Sequence, residues 1–141
     1  MNGTATGTFA IRMTPAQAFA PALGRMTFDK TWEGDLKGES LGELLSVGDP
    51  ASGTAAYTVL EVFSGTLAGH RGQVAFHQYG TMQGGQTTLS YRVVPGSGLG
   101  ELAGLRGELT LTVVDRVHHY ALNYVLEAGQ AAVTGPTGTL P

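Results

Sequence analysis

Seven polar residues take positions that alternating apolar residues also take: Lys30, Glu43, Glu61, Gln78, Tyr91, His118 and Tyr120. Period-two alternation sends successive side chains to opposite faces of a strand, so these seven are expected to point into a core. A buried polar group is costly unless it finds a partner, which makes such positions informative. Glu61, between Val59 and Phe63, is the sharpest case. An unpaired carboxylate there would have a raised pKa and could serve as general acid or base, or hold a ligand hydroxyl. The plainer alternative is an ion pair with Lys30 or a hydrogen bond from a tyrosine, which only satisfies the interior. Phe28, Trp32, Tyr57, Phe63, Phe76, Tyr91 and Tyr120 can line a small-molecule cavity or simply fill a narrow barrel. The candidate ligand-binding set is Phe28, Lys30, Trp32, Tyr57, Glu61, Phe76, Gln78, Tyr91, His118 and Tyr120, with no catalytic residue assigned.

Other chemistries find little support. His118 and His119 point to opposite faces, His70 falls in the turn "AGHRG" and His77 lies opposite Phe76, so no metal site is expected. Without cysteine there is no disulfide framework and no thiolate chemistry. Ser64 in "FSGTL" lacks a nucleophile signature, and Arg106 in "GLRG" reads as a surface charge rather than an anion site. The stretch "VVPGSGLGELAGLRGELTL" (93–111) imitates a dinucleotide fingerprint through Gly98, Gly100 and Ala103. That fingerprint needs a helical crossover of about a dozen residues. Between Pro95 and Glu108 lie twelve residues, five of them glycine, so no adequate helix fits. The better reading is a bend with positive φ at Gly96 and Gly98, one helical turn over Leu102–Leu105, and two leucines plugging one barrel end. No cofactor is expected.

The elements that must position these residues are short strands. Alternation marks "TFAIRM", "GRMTFDKTWEGDLKG", "SLGELLSVGD", "GTAAYTVLEVFSGTLAG", "GQVAFHQYG", "QTTLSYRVV", "GELTLTVV" and "HHYALNYVL". In the third, Leu41, Glu43, Leu45 and Val47 form the expected inward face. "TPAQAFAP", with Thr14 as cap, Pro15 at the first position and Pro21 as stop, reads as two helical turns or an irregular excursion. Eight strands without a covering helix predict an all-β, short eight-stranded antiparallel barrel, because closure removes exposed edges.

Glycine supplies the turns: 22 of 141 residues, against a usual ~7%. The length predicts one barrel domain over residues 1–127 and a flexible tail over 128–141. Charged residues make up 13% and the net charge is −3, which gives nucleic acid or anionic membrane no footprint. No apolar run reaches spanning length, so membrane insertion is not expected and a cytoplasmic location is. Leu, Val and Thr on the outer face predict a homo-oligomer.

"PGSGLGELAGLRGELTL" (95–111), "GTLAGHRGQVAF" (65–76) and "TWEGDLKGES" (31–40) resemble a bacterial family of small proteins known as a domain of unknown function. That family is grouped with the allene oxide cyclase-like β-barrels, and the resemblance spans roughly residues 3–127. It implies an eight-stranded barrel with a central cavity. In the wider superfamily, plant allene oxide cyclases steer ring closure of a fatty-acid epoxide and dirigent proteins guide radical coupling, both as trimers. No catalytic motif of the plant enzymes maps onto this chain residue by residue. Family members tend to carry a histidine where this chain has Gln78, and a one-residue slip here would bring His77 and Tyr79 inside instead. Three function classes follow: a barrel binding a small apolar or amphipathic molecule, a filled structural oligomer, and a cofactor-independent isomerase or cyclase acting on a lipid-like substrate.

Overall fold

Alternation becomes nine strands in the computed structural model, which describes residues 2–127. These are β1 (Asn2–Ala16), β2 (Gly24–Gly34), β3 (Leu36–Asp49), β4 (Thr54–Leu67), β5 (His70–Gln83), β6 (Gln86–Val93), β7 (Leu99–Gly100), β8 (Arg106–Val114) and β9 (Val117–Val125). Eight of them pair antiparallel in the order β1, β2, β3, β4, β5, β6, β8, β9, and β9 returns to β1 to close the barrel. The two-residue β7 adds to β5 beside Gly72 and Gln73. The expected all-β, eight-stranded barrel is therefore the fold; the tail assigned to 128–141 lies outside the described residues.

Three local expectations change. "TPAQAFAP" forms no helix: β1 runs to Ala16, and an irregular excursion follows in which the Leu23 N–H donates to the Ala20 carbonyl at 3.0 Å. Gly96 has the positive φ expected of it, but Gly98 does not. Gly98 is small for another reason, since a Cβ there would lie 2.0 Å from the Leu102 carbonyl oxygen. The third correction is the face of β3. Leu41, Glu43, Leu45 and Val47 point outward, and Leu36, Ser40, Gly42 and Leu44 face the interior. The cause is bulk on the neighbouring strands. Gly42 is the register partner of both Phe28 and Glu61, and a Cβ on it would lie 2.3 Å from the Phe28 ring. The core thus selects small residues on β3, which leaves the leucines outside and inverts the usual hydrophobic signal.

The two ends of the barrel differ. At one end the segment after β6 crosses the barrel through successive tight turns, and Leu102 and Leu105 are fully buried beside Leu36 and Leu67 in the core. The expected plug is present. Tyr120 locks the same end: its hydroxyl accepts from the Leu36 N–H at 2.8 Å and donates to the Glu33 carbonyl at 3.1 Å. At the other end the strands part. A single register pair, Arg92 with Glu108, joins β6 to β8, and beyond it the inward-parity residues Leu89 and Val113 are exposed.

Candidate functional site

Between plug and mouth lies a buried polar cluster drawn from four strands. Lys30 on β2 places Nζ 2.9 Å from Glu61 Oε1 on β4 and 3.0 Å from the Tyr91 hydroxyl on β6. Tyr91 also donates a short hydrogen bond to Glu61 Oε1. The other carboxylate oxygen accepts from Ser40 Oγ on β3 at 2.6 Å, and Ser40 accepts from Trp32 Nε1 at 3.0 Å. Among the described residues no buried side-chain nitrogen or oxygen is left without a partner. Every polar side-chain atom of the cluster thus has at least one partner within it.

Aromatic rings enclose the ammonium. Lys30 Nζ lies 4.4 Å from the Phe9 ring centroid, 5.1 Å from Tyr91, 5.2 Å from Trp32 and 5.3 Å from Phe28, distances at which the ring quadrupole attracts a cation. Burial nevertheless lowers the Lys30 pKa from its ordinary 10.5, and the Glu61 charge opposes that shift. Burial pushes the Tyr91 hydroxyl well above its ordinary 10.0, and the adjacent carboxylate pushes in the same direction. Tyr91 is thus held neutral, a donor rather than an acceptor toward Glu61.

The sequence-predicted residues divide into layers. Lys30, Glu61, Tyr91 and Phe28 share the cluster, and Trp32 lies beneath it, packed on Phe9, Phe63, Phe76 and Tyr120. Phe76 stands edge-on to Tyr91, with centroids 5.9 Å apart. Tyr120 belongs to the plugged end, its hydroxyl spent on backbone groups and pushed up to about 12, chiefly by burial. Tyr57 and Gln78 sit toward the mouth, where Gln78 Nε2 donates to the Tyr57 hydroxyl at 3.0 Å. No slip has occurred on β5: Gln78 faces inward, and His77 contacts Thr58 with Nε2 3.0 Å from Oγ1. His118 is half-buried and stacks on Phe9, with centroids 4.9 Å apart. Glu43, expected inside, pairs with Arg25 on the outer face. Ser40 and Phe9 were missing from the candidate set. The signal for Ser40 was the run of small residues opposite the aromatic ones of β2, legible only once the register is known.

Two concavities flank the cluster. One, of about 330 Å³, lies on the inner face of the β3–β6 tips and is lined by Ser46, Ala55, Tyr57, Met82, Thr87 and Leu89, among others. The two hairpin tips beside it are joined by a hydrogen bond from the Gly85 N–H to the Gly53 carbonyl, 3.2 Å. The other, of about 860 Å³, is a groove on the outer face, flanked by Leu41, Leu45, Leu60 and Val62, with its floor along the row Phe28, Gly42 and Glu61. Among the described residues no three His, Asp or Glu side chains converge to hold a metal ion, and no helix is long and apolar enough to cross a membrane.

A closed antiparallel barrel of the described residues, plugged at one end and with a buried ion cluster midway, defines a small β-barrel protein. The chain belongs to the DUF3224 family: the model of that protein family of unknown function matches residues 5–124. It is similar to the crystal structure of a protein of unknown function from the same family, from Shewanella oneidensis MR-1. The two are 36% identical with a TM-score of 0.82, over 90% of this chain and 98% of that one. No curated protein matches the chain.

Removing one partner of a buried ion pair leaves the other charge uncompensated, at about 3–5 kcal/mol. Glu61→Gln should therefore lower stability by that order in urea unfolding, and a Lys30→Met, Glu61→Leu double variant should be less destabilised than the sum of its singles. Additive losses would show that the pair is not coupled. Alkaline titration gives a second test. Tyr57, Tyr91 and Tyr120 have folded pKa values above the ordinary 10.0, so their contribution is complete below pH 10 and is lost as pH rises toward the folded values. Lys30 acts oppositely, because a lowered folded pKa makes stability rise with pH until 10.5. Above that, stability should fall, with Tyr91 contributing up to about 1.4 kcal/mol per pH unit. Tyr91→Phe should remove its share of the slope.

Proposed function

We propose that this barrel binds a small apolar or amphipathic molecule in its mouth. The observation that carries the reading is the 330 Å³ concavity at the β3–β6 tips, within the low end of the ~300–1,000 Å³ range of ligand sites. Its lining is mainly apolar, with one oriented polar group. The Tyr57 hydroxyl accepts from Gln78 and keeps its own proton to offer to a ligand, and burial raises its pKa, which keeps that proton in place. Below this level the aromatic stack around Trp32 fills the barrel, so the occupant sits at the mouth instead of running through the interior.

We also propose that the outer groove meets a second copy of this chain. Leu41 and Leu60 stand 70% and 61% exposed on the groove's flanks. The charges beside it are already paired, Arg12 with Asp29 and Arg25 with Glu43, so the face carries no net charge to select an oppositely charged partner. β3 and β4 are ladder-paired on both sides, which excludes strand addition and leaves face-to-face contact, with the leucine ridge of one copy filling the groove of the other.

Titration with 1-hexanol followed by amide NMR tests the first reading: resonances of Tyr57, Gly80, Met82 and Leu89 should shift, and Ala55→Phe, which fills the concavity, should weaken binding about ten-fold or more. Shifts confined to the outer face, or binding indifferent to Ala55→Phe, would count against it. For the second, sedimentation should show an oligomer that Leu60→Glu dissociates. A wild-type monomer at every concentration overturns it.

A further inference from the structure

We propose that Lys30 forms an imine with a small apolar aldehyde or ketone admitted through the mouth, with Glu61 moving the protons. The proposal rests on the mouth-binding reading and names the substrate class.

The first support is placement. The chain has two lysines; Lys37 faces solvent, and Lys30 carries its amine into an aromatic enclosure against a carboxylate. A lysine used only for solubility or surface pairing has no reason to be there. An ion pair used only for packing is often no better than apolar residues of similar volume. The second support is access. Lys30 and Tyr91 are 4% exposed and Phe9 and Phe28 6%, whereas Glu61 and Ser40 are 1% and Trp32 is 0%. The small residual exposure thus falls on Lys30, Tyr91 and the Phe9 and Phe28 rings rather than on Glu61, Ser40 or Trp32. Only one register pair, Arg92 with Glu108, ties β6 to β8 next to Tyr91, and the ladder does not continue toward the mouth. The third is the juxtaposition of amine, carboxylate and phenol within hydrogen-bond reach, which matches the needs of carbonyl condensation.

The step balances. Transfer of one proton from Nζ to Glu61 leaves a neutral amine facing a neutral acid. The nitrogen lone pair attacks the carbonyl carbon, a C–N bond forms, and the C=O π pair moves to oxygen. Proton exchange through Glu61 moves a nitrogen proton to that oxygen and gives a neutral carbinolamine. Glu61 then protonates the hydroxyl, the C–O bond breaks, water leaves, and the nitrogen lone pair forms C=N. The products are a protonated imine, a Glu61 carboxylate and one water. Burial lowers the Lys30 pKa and so favours the neutral amine that the first step needs, and Tyr91, held protonated, donates to Glu61 beside the reacting nitrogen.

Intact wild-type protein is incubated at neutral pH with hexanal and sodium cyanoborohydride, and the adduct is mapped by peptide mass spectrometry. Lys37 and the N-terminal amine are internal controls. The lowered Lys30 pKa enlarges its free-amine fraction at neutral pH, and the adjacent carboxylate supplies the proton transfers. Lys30 is expected to gain a hexyl group at least about ten-fold faster than Lys37, with excess hexanol slowing the label at Lys30 only. Hexanol binding with label confined to Lys37 and the terminus overturns the imine and leaves the mouth reading standing. Absence of both hexanol binding and Lys30 label overturns the two together.

Discussion

The contact on which the interior depends is the ion pair between Lys30 and Glu61. Two charges taken from water into a barrel need every remaining donor and acceptor satisfied, or the desolvation cost exceeds their attraction. Each neighbour can be derived from that demand. Glu61 has a second oxygen, which calls for Ser40; the serine oxygen needs a further donor, which Trp32 Nε1 supplies; the ammonium takes a second acceptor from Tyr91. The rings that complete the enclosure need room. That room comes from β3, where glycine at position 42 lets the Phe28 ring and Glu61 lie where a side chain would stand.

The same demand explains the asymmetry of the two ends. A charged cluster in mid-barrel needs water excluded from one side at least, and Leu102, Leu105 and the Tyr120 lock exclude it below. The glycine-rich stretch that imitates a nucleotide loop is how the chain crosses that end in few residues. Gly98 allows the approach of the Leu102 carbonyl, and Gly72 admits the Leu99 carbonyl to within 2.1 Å of where a Cβ would stand. Among the described residues nothing comparable is built above the cluster, and the β6–β8 ladder ends after one pair.

The fold was largely legible because alternation and turn chemistry are local. Seven of the eight main runs gave the correct face, and the pairing of Glu61 with Lys30 was among the alternatives stated from sequence. The exception, β3, failed for a non-local reason: its inward residues are chosen by the volume of Phe28, Trp32 and Glu61 on adjacent strands, and period-two reading sees only one strand. Ser40 was missed for the same reason, since period-two reading set it on the face opposite Leu41, and only its register with Phe63 and its distance to Glu61 turn it inward. The irregular excursion after β1 was ambiguous because Pro15 suits a helix start and an edge position alike.

A cluster whose hydrogen bonds are all made internally constrains the chemistry it can support. A polar ligand that displaced Lys30 would strand Glu61, and a ligand that displaced Glu61 would strand the ammonium; either exchange carries the cost of an unpaired buried charge. Neutral apolar matter at the mouth avoids that cost, because it removes water from Tyr57, Met82 and Leu89 without touching the pair. Covalent capture by the amine avoids it differently. The protonated imine keeps a positive nitrogen, bearing one proton, opposite the same carboxylate oxygen, so Glu61 keeps its ion pair and Ser40 its acceptor. What changes is the group beyond the nitrogen, which faces aromatic rings and the open end. The saturated network therefore disfavours exchange of its members and tolerates substitution on the amine, a selectivity that follows from electrostatics alone.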